Sequence, residues 1–87
     1  MYVILVYDVK QVRGGRMLKL CRRYLNWIQN SVLEGEITEV KLRELLGKAR
    51  SFLDENEDSV IIFKSRTQQW LDKEIIGQER SSLDNFL

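Results

Sequence analysis

The opening MYVILVYDVK places six apolar or aromatic residues in a row, Tyr2 to Tyr7, and ends them on a lone carboxylate at Asp8. The run lacks the every-second-residue alternation of a half-solvated strand, so it predicts a central strand covered on both faces. The remaining sequence has to supply both covers. At 87 residues there is material for one domain with one core, and a single domain over residues 1–87 is expected. A chain 44% hydrophobic and 31% charged can bury such a strand and stay dissolved, unlike a disordered one.

Several classes drop out. No apolar run approaches the length of a bilayer span, and the N-terminal stretch lacks the basic-then-apolar layout of a signal peptide. A cytoplasmic protein with no membrane association is therefore expected. One cysteine, Cys21, cannot form an internal disulfide, which fits a reducing compartment. With no histidine and one cysteine, zinc sites and histidine-based catalysis are excluded.

The net charge of +1 conceals an asymmetry. Up to Leu25, six basic residues (Lys10, Arg13, Arg16, Lys19, Arg22 and Arg23) face Asp8 alone, a net +5. The rest carries 8 basic and 12 acidic residues, a net −4. A segregated positive segment suits a polyanion, because phosphate neutralisation supplies most non-specific nucleic-acid affinity. A solvated helix face balanced by acids elsewhere is the plainer reading, and charge alone does not separate the two.

Beyond Asp8, VKQVRGG reads as a loop turned by Gly14 and Gly15. A first helix is predicted from about Arg13 or Arg16 to Leu25. Met17, Cys21, Tyr24 and Leu25 would line its buried stripe, Leu18 and Leu20 its flanks, and Arg16, Lys19 and Arg23 one exposed face. WIQNSVLEGEI suits two short strands or one strand bent at Asn30. Thr38 is a credible N-cap. Helix two is expected over Glu39 to Leu53, on a stripe of Leu42, Leu45, Leu46, Ala49, Phe52 and Leu53. Gly47 within it costs about 1 kcal/mol relative to alanine, for which close packing against a neighbour is the natural reason. DENED is a polar turn, and SVIIFK, Ser59 to Lys64, a further β-branched strand.

The tail from about residue 66 to 87 has apolar residues (Trp70, Leu71, Ile75, Ile76, Phe86 and Leu87) but no helical stripe. A short strand near Lys73 to Ile76, paired to a second subunit, would satisfy its backbone and bury those side chains together. The order β-α-β-β-α-β with a trailing strand specifies an α+β, ferredoxin-like sandwich, two helices covering one face of a mainly antiparallel sheet. The second face then requires a cover, and sheet-to-sheet homodimerisation is the simplest.

Two readings of Asp8 follow. Its carboxylate can cap the following loop by accepting backbone N–H groups. Alternatively it is a ligand for Mg²⁺, which retains much of its hydration shell and needs few carboxylates. A two-fold axis bringing both copies of Asp8 together would let one divalent cation relieve their repulsion. The cation could then acidify a water at a phosphodiester, with Arg13 or Arg16 balancing developing charge. Tyr7 points either into the core or toward the metal.

MYVILVYDV, the basic helix ending RRYL, IQNSVLEGEIT and DSVIIF together resemble the CRISPR-associated Cas2 family, in order and along essentially the whole chain. The closing IIGQERSSLDNFL resembles tails in one branch of it. The resemblance implies a small ferredoxin-like homodimer of antiviral defence, acting as a metal-dependent endonuclease on single-stranded RNA or on duplex DNA. It also implies a scaffold role beside the Cas1 integrase in spacer acquisition; a non-catalytic DNA-binding adaptor is the alternative. Asp8 falls on the family's strand-end aspartate, its Mg²⁺ ligand, and Tyr7 on the neighbouring aromatic position. Catalytic roles are thus expected for Asp8, Tyr7 and Arg16, and nucleic-acid contacts for Arg13, Arg16, Lys19 and Arg23. Ser31 and Val32 match the family's SV pair. The chain departs from many relatives at Leu33, where they have phenylalanine, and from some nucleolytic ones at Trp27, where they have a basic residue.

Overall fold

A computed structural model describes residues 1–67 and 72–80. The first apolar run is β1 (Tyr2–Asp8), followed by α1 (Gln11–Cys21), β2 (Asn26–Gln29), β3 (Val32–Glu36), α2 (Glu39–Arg50) and β4 (Ser59–Ser65). The four strands form one antiparallel sheet in the order β2-β3-β1-β4, so β1 is central. This is the expected ferredoxin-like α+β arrangement.

Strand β1 pairs with β4 along its whole length, from Tyr2 opposite Ser65 to Asp8 opposite Ser59. Its odd-numbered residues Val3, Leu5 and Tyr7 join Leu33 and the helix residues Met17, Leu20, Cys21, Leu42, Leu45 and Ala49 in the core. Its even-numbered residues stand on the other sheet face, since alternate side chains point to opposite sides. There Ile4 lies opposite Phe63 and Val6 opposite Ile61, and Phe63 and Ile61 are each 53% exposed. The half-buried and exposed members of this strip form an apolar surface on the face away from the helices.

Helix α1 starts at Gln11, before the expected Arg13 or Arg16, and takes both Gly14 and Gly15 into its first turns. Tertiary contacts override local propensity here. Asp58 accepts hydrogen bonds from the Lys10 N–H at 2.8 Å, the Arg13 Nε at 2.5 Å and an Arg13 terminal nitrogen at 3.0 Å. The start of α1 is thereby fastened to the entrance of β4. The helix stops at Cys21 rather than Leu25, where the N–H groups of Arg23 and Tyr24 return to the Leu20 and Cys21 carbonyls in tight i→i−3 bonds. Leu20, expected on the flank, is buried, and Tyr24, expected in the stripe, is half-buried.

Between the helices, the two-strand reading is the one realised: Asn30 and Ser31 connect β2 and β3, and Asn30 adopts φ 45°, left-handed geometry that asparagine tolerates. The Trp27 indole Nε1 donates to the Asn30 carbonyl at 2.8 Å and steadies this turn. Thr38 caps α2, its side chain accepting from the Lys41 N–H at 3.2 Å. That helix ends at Arg50, yet Phe52 and Leu53 still pack on the core from the following turn. No neighbour explains Gly47: it is exposed, and a Cβ built there meets nothing within 4 Å.

Residues 73–76 form no strand within the chain. The tail is held instead by the Lys73 ammonium, which pairs with the buried Glu34 on β3, and by the Arg80 guanidinium, 5.6 Å from the centre of the Trp27 ring. Strand pairing of this segment on a second subunit concerns the assembly rather than the single chain. The expected apolar roles of Trp70, Leu71, Phe86 and Leu87 lie outside the described residues.

Candidate functional site

Asp8 is the last residue of β1 and is exposed. By register it shares the helix-free face with Val6 and Ile61, so it closes the apolar strip with a charge. Among the described residues its carboxylate has no hydrogen-bond or ion-pair partner. The capping role falls to Asp58: the Lys10 N–H, two residues past Asp8, donates to Asp58 instead. An exposed acid at the rim of an apolar surface, with no hydrogen bond or ion pair among the described residues, suits the role of a hard oxygen donor.

The neighbouring Tyr7 lies on the opposite side of the strand. The residue is 7% exposed and belongs to the core, and burial pushes its hydroxyl up from the ordinary value. Its N–H donates to the Ser31 carbonyl at 3.1 Å, which brings the β2–β3 turn beside the end of β1. Of the two directions open to Tyr7, the structure takes the core.

Arg13 is committed to acids. It contacts Asp58, whose side chain is 0% exposed, and also Glu57 at 3.0 Å. The Arg13 guanidinium, together with the Asp54 and Lys10 N–H groups, holds the Asp58 carboxyl well below the usual carboxylate range. Arg13 therefore acts as a bolt between α1 and β4 within the chain. Nothing in the sequence singles out Asp58 among the acids of DENED; only the fold reveals which of them is buried.

The other expected cations lie elsewhere. Arg16 stacks over the Phe52 ring, 4.3 Å from its centre. With Lys19 and Arg23 it lines a groove on the helix layer, which Lys48 of α2 and Ser51 and Phe52 of the turn after it complete. The structure thus brings Arg16, Lys19 and Arg23 together, and sets Asp8 apart from them on the sheet.

One chain supplies a meagre metal site. Among the described residues no group of three or more potential ligands gathers. Mg²⁺ is satisfied by one or two carboxylates and several waters, so Asp8 fits as one donor and a symmetry-related Asp8 would fit as the second. No helix of the described residues is long and apolar enough to cross a membrane.

A family model described as CRISPR associated protein Cas2 matches residues 1–73. The CRISPR-associated endoribonuclease Cas2 of Dictyoglomus turgidum is 47% identical over 87 residues, covering 100% of both chains. That of Thermotoga maritima is 42% identical, covering 100% of this chain and 99% of its own. A crystal structure of Cas2 superposes with a TM-score of 0.82 at 41% identity, over 93% of this chain and 91% of that one. Streptococcus pyogenes Cas2, crystallised at pH 6.5, gives a TM-score of 0.78 at 26% identity, over 88% of this chain and 100% of its own.

Proposed function

The chain belongs to the CRISPR-associated Cas2 family, and we propose that it acts as a homodimeric, Mg²⁺-dependent endoribonuclease whose two Asp8 carboxylates share one ion. The observation that carries this reading is the placement of Asp8: exposed, without a partner among the described residues, and at the end of an uncovered apolar strip. A second copy laid on that strip covers Ile61 and Phe63 and sets two like charges near the seam. Burial of such side chains contributes roughly 25 cal/mol per Å² of apolar surface removed from water. The mutual repulsion of the two carboxylates favours a bound cation.

Asp8 would hold the ion, which when bound acidifies a coordinated water. The chain's own contributions are electrostatic and positional. Asp8 fixes where a phosphodiester must lie, and the basic helix face draws the polyanion in. Of the two roles expected for Arg16, backbone contact is the better supported, since its guanidinium sits over Phe52 on the helix layer. Tyr7 supports the strand from the core, and Arg13 fastens the loop that follows Asp8.

The test is Asp8→Asn in purified protein with labelled single-stranded RNA. Cleavage should require Mg²⁺, vanish with chelator and vanish in the variant, while the dimer persists. Cleavage at wild-type rate by Asp8→Asn refutes the assignment.

A second reading is favoured by the cation groove: a non-catalytic dimer that holds duplex DNA within a spacer-acquisition complex beside the Cas1 integrase. It accounts for Arg16, Lys19 and Arg23 without any chemistry at Asp8. Absence of Mg²⁺-dependent cleavage together with salt-sensitive DNA binding is its signature.

A further inference from the structure

The groove on the helix layer has one wall that the charge pattern of the first 25 residues does not contain. Lys48, on α2, reaches toward α1: its ammonium donates to the Tyr24 hydroxyl at 2.8 Å and lies 5.4 Å from the centre of that ring. Neither contact neutralises it. The nearby acid Glu44 accepts from Tyr24 at 2.8 Å and from Lys41 at 3.4 Å, so the tyrosine stands between it and Lys48. Arg16, Lys19 and Arg23 make no ion pair among the described residues. The groove therefore gathers four cations, Arg16 and Lys19 from α1, Arg23 from the turn after it and Lys48 from α2, and Leu20 and Phe52 also line it.

Resting on the nucleic-acid reading above, we infer that Lys48 of α2 is a phosphate contact, and that the α1–α2 groove binds a phosphodiester backbone on the layer opposite the Asp8 face. Three features favour this polyanion over an acidic peptide. Arg16 and Lys19 stand one turn apart on α1 and Arg23 follows in the turn beyond its end, so the cations run in file along the groove, an arrangement that successive phosphates of one strand can follow. The Arg16 guanidinium carbon sits 4.3 Å over the centre of the Phe52 ring, a contact that places the group at the groove and consumes none of its N–H donors, which suit phosphate oxygens. A second depression, lined by Gly15, Leu18, Lys19, Arg22 and Arg23, adjoins the first across Lys19 and Arg23. A Cβ at Gly15 would meet nothing within 4 Å, so no packing within the chain calls for glycine there, and a bare helix surface admits close approach of a sugar–phosphate chain.

The experiment measures affinity against salt, from about 50 to 200 mM, for a short duplex DNA and for a single-stranded RNA of equal length. Lys48→Gln should weaken binding roughly five- to tenfold at low salt and reduce the log–log salt slope by about 0.9 on duplex and about 0.7 on single strands. A loss confined to one probe identifies which nucleic acid occupies the groove. Tyr24→Phe removes the hydrogen bond but keeps the cation, and should bind as wild type. Arg50→Gln, which removes a cation from the other side of α2 beside β4, controls for net charge. If Lys48→Gln matches Arg50→Gln in affinity and slope, or if Tyr24→Phe loses as much as Lys48→Gln, the inference is overturned. If Arg16→Glu with Lys19→Glu also binds normally, the nucleic-acid reading of the whole helix face falls with it.

Discussion

Arg13 and Asp58, 45 residues apart, meet at 2.5 Å between Nε and a carboxylate oxygen, and this contact decides where the first helix begins. Without it, Gly14 and Gly15 would favour the loop that their propensities suggest. The same carboxylate accepts the Asp54 N–H at 2.9 Å, so one side chain organises the turn before β4 and the start of α1 together.

Asp58→Asn should therefore lower the melting temperature at pH 7 and fray the first turns of α1, seen as faster amide exchange at Val12 to Gly15. The sign with pH follows from the depressed carboxyl. Its contribution is complete above the unfolded value near 3.9 and is lost as pH falls through the lower folded value. The gap in melting temperature between variant and wild type should close as the solution is acidified; a gap that widens contradicts the role.

Gly47→Ala should stabilise the protein by about 1 kcal/mol, raising the melting temperature by roughly 4–8 °C. The position is exposed mid-helix, and an added methyl meets nothing within 4 Å. RNA and DNA affinities should not change. A drop in melting temperature would show that this glycine serves an assembly contact.

Burial pushes the Cys21 thiol up to about 12, and burial beside Glu34 pushes the Tyr2 hydroxyl up to about 12. Both groups release protons more readily when unfolded, so stability should be full below about pH 9 and decline above it. The fall is at most about 1.4 kcal/mol per pH unit for each group. Cys21→Ala should lose packing at neutral pH yet flatten the slope between about pH 9 and 10. In the native protein the thiol should resist alkylation at pH 8 and react only on unfolding. Rapid native-state labelling contradicts its placement.

What the sequence discloses here divides along physical lines. Regular periodicity was enough for α2, its Thr38 cap and the face carrying Arg16, Lys19 and Arg23, because each is fixed by spacing within a few residues. The central position of β1 was legible from an apolar run that needs two covers. Asp58, Lys48 and Glu34 were not legible, since each acquires its role from a residue at least 20 positions away, and nothing local distinguishes them from solvated charges. Gly14 and Gly15 misled for the same reason: propensity marks them as a turn, and a buried ion pair formed through packing overrides it. Tyr7 could be resolved only once the pairing of β1 with β4 settled which face each residue takes.

The proposed activity depends most on two chains sharing one ion between their Asp8 carboxylates. Titration of Mg²⁺, or of Mn²⁺ followed by its paramagnetic signal, into protein of known association state tests this directly. The expected result is one ion bound per two chains, in a dimer, with that binding lost in Asp8→Asn. One ion per chain, or undiminished binding in the variant, contradicts it.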